Sequence, residues 1–136
     1  MVKAIYANLV VADLARSQQF FEAVGFSFNQ QFSNDKVAAL VIADNIVAML
    51  HTAESMRRFT RKNIVNAKTS TEVLLALEVE SRWEVDRLME KVLSAGGTEQ
   101  RDPENYAFLY ARSFEDPDHH IWEVFWMNPE GVEQSN

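Results

Sequence analysis

The sequence predicts an α+β fold of two βαβββ modules that form a curved eight-stranded mixed sheet, with the helices on its outer side. The first observation is an alternating strand followed by an amphipathic helix and three more strand-like segments. The second is that this plan returns, since a shift of 68 positions places Asp13 over Ser81. Equal inward faces on the two leading strands indicate a duplicated unit. These faces are Ile5, Ala7, Leu9 and Val11, and Val73, Leu75, Leu77 and Val79.

The first module is predicted over residues 3–51. Its helix, at 14–24, begins after Asp13, a residue suited to capping, and ends at Gly25, which tolerates the left-handed conformation common after a helix. Turn-forming residues then separate three short apolar segments. The predicted strands lie near 26–32, 36–42 and 45–51.

Residues 52–70 are predicted to be a helical linker, because 53–67 contain helix-forming residues. This stretch lacks a clean apolar stripe. It does contain a basic cluster, for which a solvated helix face and a lid or anion contact remain open. The basic cluster is Arg57, Arg58, Arg61 and Lys62.

The second module is predicted over residues 71–128. Ser81 and Glu84 have the spacing of a capping box, and the helix at 82–95 ends at the glycine pair 96–97. Apolar residues recur on one face of this helix, at Val85, Leu88, Met89 and Val92. Strands are expected near 98–103, 107–114 and 119–127, with breaks at Pro103 and at Asp116-Pro117-Asp118.

Composition limits the classes of function. A chain of 136 residues suits one domain, and the absence of cysteine excludes disulfides, thiolate metal sites and a cysteine nucleophile. The net charge is −7, with +3 on residues 1–70 and −10 on 71–136, which argues against a nucleic-acid partner. No apolar run is long enough to span a membrane, and the first residues lack the features of a secretory signal, so a cytoplasmic location is expected.

Two motifs resemble those of the vicinal oxygen chelate superfamily, which includes glyoxalases, bleomycin resistance proteins and extradiol dioxygenases. The first is D-L-x-x-S-x-x-F-[FY]-x-x-x-G-F, beginning at Asp13, and the second is D-P-D-x-H-x-x-E, from Asp116 to Glu123. The resemblance covers residues 3–128. It implies the duplicated fold, but this scaffold supports many chemistries, so function depends on the residues of the site.

The resemblance implies four positions for ligands of a divalent metal. They fall on Tyr6 and Ala48 in the first module and on Leu74 and Glu123 in the second. Only Glu123 is an ordinary donor at neutral pH. We therefore expect no metal site and no cofactor, with a divalent metal as the alternative.

Glu123 is the candidate catalytic residue, because a carboxylate within an apolar strand must be paired or face a wet cavity. Its interpretation is open between a cavity acid or general base and a structural partner of Arg112 or Tyr110. Tyr110 and Arg112 share one strand face and are themselves candidate ligand-binding residues. Tyr6, Asn8 and Leu74 are further candidates through their positions in the family.

The three histidines are not expected to form a rearranged metal site. His119 and His120 are neighbours on a predicted strand, so their side chains should point to opposite faces and cannot easily share an ion. We expect His120 to be hydrogen-bonded at a turn and His119 to be solvated. His51, at the end of a strand, has no acidic neighbour in the sequence.

The leading hypothesis is a small-molecule binding protein of the glyoxalase/bleomycin resistance type, with a concave pocket and no complete metal site. The alternative is an enzyme, either a metal-dependent lyase or dioxygenase or a metal-free isomerase with Glu123 as base. A dimeric module with an occluded pocket is a third class. A homodimer is expected because four large apolar residues crowd the last strand, which are Trp122, Phe125, Trp126 and Met127.

Overall fold

The computed structural model describes residues 1–130, and the contacts of the chain fall into two compact units. The first unit spans Met1–Asn66 and the second begins at Ala67. Each unit contains one four-stranded mixed sheet and one long helix. The two predicted βαβββ modules are thus confirmed, with the eight strands hydrogen-bonded as two four-stranded sheets.

The first unit has strand order β1-β4-β3-β2, with β1 parallel to β4 and the other pairs antiparallel. Helix α1 is capped as predicted, since the Asp13 carboxylate accepts from the Arg16 amide and Gly25 is left-handed at φ 116°. Its buried face packs on β2 and β3. The elements are β1 (Ile5–Val10), α1 (Leu14–Val24), β2 (Ser27–Asn29), a 3₁₀ turn (Gln30–Phe32), β3 (Val37–Ala43), β4 (Ile46–His51) and α2 (Ala53–Met56).

Two predictions about the first unit need correction. The strand predicted near 26–32 ends at Asn29, because the Asn29 side chain accepts from the Gln31 amide and its carbonyl accepts from the Ser33 hydroxyl. These local hydrogen bonds replace the strand ladder. The predicted linker helix is confined to Ala53–Met56, since the residues that follow have no apolar stripe to bury and a short helix is unstable alone.

The second unit has the matching strand order β5-β8-β7-β6, with β5 parallel to β8. Ser81 caps α3 by accepting from the Glu84 amide, and the Glu84 carboxylate accepts from the Glu80 amide. One face of α3 is fully buried, at Val85, Met89 and Val92. The elements are β5 (Leu74–Glu78), α3 (Arg82–Ser94), β6 (Thr98–Tyr106), β7 (Leu109–Glu115) and β8 (Ile121–Met127).

Pro103 does not end its strand, contrary to the prediction. It lies within β6, where the register with β7 shifts between Arg101 and Glu104. β6 is the edge strand of its sheet and pairs with a neighbour on one side only. A proline, which has no N–H to donate, is therefore tolerated there. The same shift helps to set which face of the sheet the Arg101 side chain occupies.

The apolar residues of β8, from which a homodimer is expected, are partly covered inside the second unit. Trp122 is fully buried and stacks on Phe114, with ring centroids 6.4 Å apart. The Trp126 ring lies 5.0 Å from the Arg82 guanidinium, which also faces the Tyr110 ring at 5.3 Å. The homodimer therefore stays a prediction that needs its own measurement.

The second sequence motif forms the turn between β7 and β8. The Asp116 carboxylate is buried and accepts three hydrogen bonds, from the Asp118 and His120 amides and from the Trp122 indole at 3.0 Å. Burial raises the pKa of Asp116, and the neighbouring His120 and these hydrogen bonds act in the opposite direction. His119, in the same turn, has a positive φ of 69°, and its Nδ1 lies 3.4 Å from Glu115 Oε1. The predicted turn is present, and His119 has an acidic partner that the sequence did not reveal.

Replacement of Asp116 by alanine should destabilise the protein strongly. The change leaves three donors without their acceptor in a buried turn, which should lower the free energy of unfolding by about 3 kcal/mol. Urea denaturation measures this loss. Asp102→Ala, at an exposed position on β6, is the matched control and should change stability by less than about 0.5 kcal/mol. Equal stabilities for the two variants would contradict the structural role of Asp116.

Candidate functional site

The sheet of the first unit forms a cavity of about 500 Å³ on the face opposite α1. Strand alternation produces this cavity. Ala48 and Leu50 of β4 are fully buried, whereas Val47 and Met49, which alternate with them along the strand, line the cavity. The 3₁₀ turn adds Phe32 to the wall. The lining is mostly apolar, with two asparagines, one aspartate and the hydroxyl of one tyrosine, and consists of Tyr6, Asn8, Asn29, Phe32, Ala39, Val41, Asp44, Val47 and Met49.

Strand register places two asparagines at opposite sides of the cavity floor. Asn8 pairs with Met49, Met49 with Ala39, and Ala39 with Asn29, so that these residues form one row across four strands. Neighbouring strands lie about 4.8 Å apart, which puts the two asparagine backbones roughly 14 Å apart. An apolar floor with amides at its sides can hold a small organic molecule and orient its polar groups.

A buried histidine fixes the amide of Asn8. His51 is only 4% exposed, and its Nε2 lies 2.7 Å from Asn8 Oδ1 while its Nδ1 lies 2.8 Å from Ser55 Oγ. Asn8 Nδ2 donates to the Tyr6 carbonyl at 3.3 Å, which leaves Oδ1 to accept from His51. His51 Nε2 is then the donor, and the Ser55 hydroxyl donates to Nδ1. Burial lowers the pKa of His51, and the charge of Arg58 lowers it further.

The sequence did not predict this network. The sequence showed only that His51 has no acidic neighbour, whereas its partner is the Asn8 amide, 43 residues earlier. The available signal was the spacing of His51 and Ser55, four residues apart across a capped helix start. Asn8 could be added only once β1 was known to run parallel to β4 in this register.

The segment that carries the basic cluster, residues 57–62, also covers the His51 ring. The Phe59 ring meets the imidazole edge-on, with centroids 5.5 Å apart, and the Arg58 guanidinium lies 5.6 Å from the Phe59 ring centroid. Arg57, Arg61 and Lys62 are exposed. The sequence left open whether the basic cluster is a solvated helix face or a lid or anion contact. The structure answers this in part, since Arg58 places a positive charge near the His51 end of the cavity.

In the second unit, Glu123 pairs with an arginine that was not predicted. Its Oε2 lies 3.2 Å from Arg101 Nη2, and Arg101 also lies 3.3 Å from Glu104. The Glu123 side chain is 20% exposed and faces away from α3, next to Ala76 on β5 and Ser113 on β7. The expectation that a structural partner would be Arg112 or Tyr110 is wrong. The register of β6 brings Arg101 to the same row as Ser113 and hence to Glu123.

Tyr110 and Arg112 lie on the helix face of the second sheet, so their predicted role in binding is not supported by their placement. Arg112 donates to both oxygens of Glu99, at 2.9 Å each, and to Asp86 of α3 at 2.9 Å. The Tyr110 hydroxyl donates to the same Asp86 oxygen at 2.6 Å. Hydrogen bonds to Glu99 are the main cause of the raised pKa of Arg112, and burial is the main cause of the raised pKa of Tyr110. These hydrogen bonds hold α3 against its sheet.

A smaller cavity, of about 190 Å³, lies in the second unit near Glu123. Its wall includes Glu115 and Ile121, which are paired across β7 and β8 two residues from the row of Glu123. Leu74, a predicted site residue, pairs with Ile121 and is half-exposed. The predicted residues therefore divide: Tyr6 and Asn8 line the first unit's cavity, and Leu74 and Glu123 share one face of the second sheet.

The metal positions implied by the family resemblance do not fit a divalent ion. Residue 48 was assigned as the counterpart of Glu123, and the structure corrects this: Asn8 pairs with Met49 as Ala76 pairs with Glu123, so the counterpart is Met49. Methionine, tyrosine and leucine thus stand at three positions, and Arg101 occupies the carboxylate at the fourth. Within residues 1–130, no three His, Asp or Glu side chains are grouped so that they could hold a metal ion.

Comparison with known proteins identifies the family of the fold. The model of the Glyoxalase/Bleomycin resistance protein/Dioxygenase superfamily matches residues 3–124. No curated protein matches the chain significantly. Within residues 1–130 no helix is long and apolar enough to cross a membrane.

Three solved structures illustrate the similarity. A hypothetical protein from S. aureus is 28% identical, with a TM-score of 0.77 over 93% of this chain and 94% of that one. A glyoxalase-related enzyme from Fulvimarina pelagi is 23% identical, with a TM-score of 0.78 over 95% and 90%. Fosfomycin resistance protein FosX from Mesorhizobium loti is 16% identical, with a TM-score of 0.71 over 98% and 99%. At such identities the last two show the fold alone.

The buried His51 should make the protein less stable in mild acid. Its lowered pKa keeps the ring neutral in the folded protein, while the unfolded chain takes up a proton near the ordinary value of 6.5. The free energy of unfolding should therefore fall as the pH drops below 6.5 towards the folded pKa. Urea denaturation at about pH 7.5 and about pH 5.5 measures this, and NMR of the imidazole resonances gives the pKa directly.

His51→Phe should lose the part of this pH dependence that belongs to the buried ring. His119→Asn, at a side chain that is 44% exposed, should retain it. A His51 that titrates at or above 6.5 in the folded protein would contradict the assignment.

Proposed function

Because the chain belongs to the Glyoxalase/Bleomycin resistance protein/Dioxygenase superfamily, we propose that it binds a small organic molecule in the cavity of its first unit, without using a metal centre. The observation that supports this most is the cavity itself. Its volume of about 500 Å³ lies in the range of roughly 300–1,000 Å³ that is typical of ligand pockets. Its apolar floor and few fixed polar groups are also typical of such sites.

The polar groups of the cavity favour binding over hydrolytic or proton-transfer chemistry. His51 would be the natural general base, but both of its ring nitrogens are already engaged, by Asn8 and by Ser55. Ser55 is buried and directs its hydroxyl at His51, so it is a poor nucleophile for a molecule in the cavity. We therefore assign Asn8, which lines the cavity, to contact with a ligand, and His51 and Ser55 to orienting Asn8.

In this proposal Glu123 does not take the catalytic role for which it was a candidate from the sequence. Its carboxylate is engaged by Arg101, which itself also meets Glu104. A carboxylate that already has a cationic partner is less available as a metal ligand or as a base. Within residues 1–130, the four positions that the family resemblance implies thus do not supply the donors that a metal-dependent lyase or dioxygenase would use. Assembly as a homodimer and a cytoplasmic location stay predictions.

Ligand binding should survive removal of metals. A library of small organic molecules, screened by thermal shift in the presence of EDTA, should contain compounds that raise the melting temperature. At a concentration of about 100 times Kd, a ligand stabilises the folded state by about 2.7 kcal/mol. For a chain of this size we expect a rise of several degrees.

Two matched variants locate the site. Met49→Trp should fill the cavity floor and abolish the shift, whereas Met127→Trp, at an exposed position of the second unit, should leave it intact. Elemental analysis should find zinc, nickel, manganese and iron below stoichiometry, and Glu123→Gln should not change the metal content. A stoichiometric metal lost in Glu123→Gln, or binding that EDTA abolishes, would show that the proposal is wrong.

A further inference from the structure

The Asn8 amide in the cavity of the first unit has only one favourable orientation. In that orientation Oδ1 accepts from His51 Nε2 and Nδ2 donates to the Tyr6 carbonyl. A flipped amide would set its oxygen against the Tyr6 carbonyl, so that two acceptors would face each other. The carbonyl decides the orientation because it can only accept, whereas the Ser55 hydroxyl can donate to Nδ1 or accept from it. Asn8 is thus oriented by the Tyr6 carbonyl and held by a chain of two hydrogen bonds that ends at the buried Ser55 of α2.

This orientation gives the cavity a hydrogen-bond donor rather than an acceptor at its Asn8 end. The amide oxygen is used by His51, while Nδ2 has two N–H bonds and the hydrogen bonds of residues 1–130 account for one of them. Asn8 lines the cavity, so the remaining N–H is available to a molecule bound there. A donor that cannot rotate binds an acceptor without a cost in side-chain entropy.

The charges around the cavity differ between its two ends. Near the Asn8 end, Arg58 lies over Phe59, which in turn contacts His51. At the other end, Asp44 lines the cavity from the turn between β3 and β4. Asp44 lies five residues before Met49, the neighbour of Asn8, which corresponds to at most about 16 Å of extended strand. A negative group is therefore favoured at the Asn8 end and disfavoured at the Asp44 end.

We propose that the cavity of the first unit takes an apolar molecule with a single carboxylate or similar oxyanion, whose oxygen accepts a hydrogen bond from Asn8 Nδ2. This inference rests on the proposed function and adds the chemical class of the ligand. The apolar body of the ligand packs on Val47 and Met49. His51 is a positioning residue that acts through Asn8, and Asp44 excludes a second negative charge.

The test compares phenylbutyrate with three analogues, which are phenylbutanol, phenylbutylamine and phenylbutyrate with a second carboxylate on the ring. Binding to the full chain is followed by ¹⁵N–¹H NMR titration. Phenylbutyrate should bind at least about tenfold more tightly than the amine, since a hydrogen bond to a charged acceptor is worth about that factor or more. The alcohol and the dicarboxylate should bind more weakly than phenylbutyrate.

Variants assign the preference to the Asn8 amide. Asn8→Asp should weaken phenylbutyrate at least about tenfold and reverse the preference toward the amine, because it replaces a donor by a charged acceptor. Asn63→Asp makes the same change at an exposed linker position outside the cavity lining and should leave all affinities unchanged. His51→Leu should reduce the ratio of acid to amine affinity, since Asn8 then loses the partner that orients it. Should this variant fail to fold, Asn8→Asp with its Asn63→Asp control still decides the matter.

The failures of the inference and of the proposed function are distinguishable. The inference is overturned if the acid, the alcohol and the amine bind equally, or if Asn8→Asp does not change the affinity for phenylbutyrate. The proposed function would then stand, with a cavity that prefers another class of ligand. If neither these compounds nor any compound from the thermal-shift screen perturbs the resonances of Tyr6, Asn8 and Met49, the proposed function fails together with the inference.

Discussion

Each sheet in this protein is covered on one face by one helix, and most of the other features depend on that constraint. A strand places alternate side chains on opposite faces, so burying Ala48 and Leu50 under the helix side exposes Val47 and Met49 on the other. In the first unit the exposed row becomes the floor of a cavity. In the second unit the same alternation buries Trp122 and leaves Glu123 on the opposite face. The duplicated architecture therefore creates two similar surfaces, whose chemistry is set by which residue stands at each position.

Much of the fold could be predicted from the sequence, because it depends on signals that are local. Period-two alternation and the caps at Asp13, Gly25 and Ser81 mark the first strand and helix of each module. Where local chemistry competes with a pattern, the prediction failed. Asn29 ends its strand through its own side chain, and Pro103 is tolerated because β6 is an edge strand, a fact known only from the sheet order.

The site was less predictable, because it depends on register. A one-residue difference in register moves a side chain to the other face, which is why Ala48 was mistaken for the counterpart of Glu123 when the pairing selects Met49. The link from His51 to Asn8 joins two parallel strands, and the pair of Glu123 with Arg101 depends on shifts in the register of β6. Sequence alone therefore identified residues that line the cavity, such as Asn8, but not the contacts that orient them.

The proposed function requires that a ligand bind on the first unit's sheet, by contact with Asn8 and without a metal. The most direct measurement is a crystal structure of the protein grown with the tightest compound from the thermal-shift screen, with anomalous scattering recorded for metals. We expect ligand density over Val47 and Met49, with a ligand oxygen within about 3.2 Å of Asn8 Nδ2 and no anomalous peak beside it. Ligand density at Glu123 around an ordered metal ion, with the first unit's cavity empty, would contradict the proposed function.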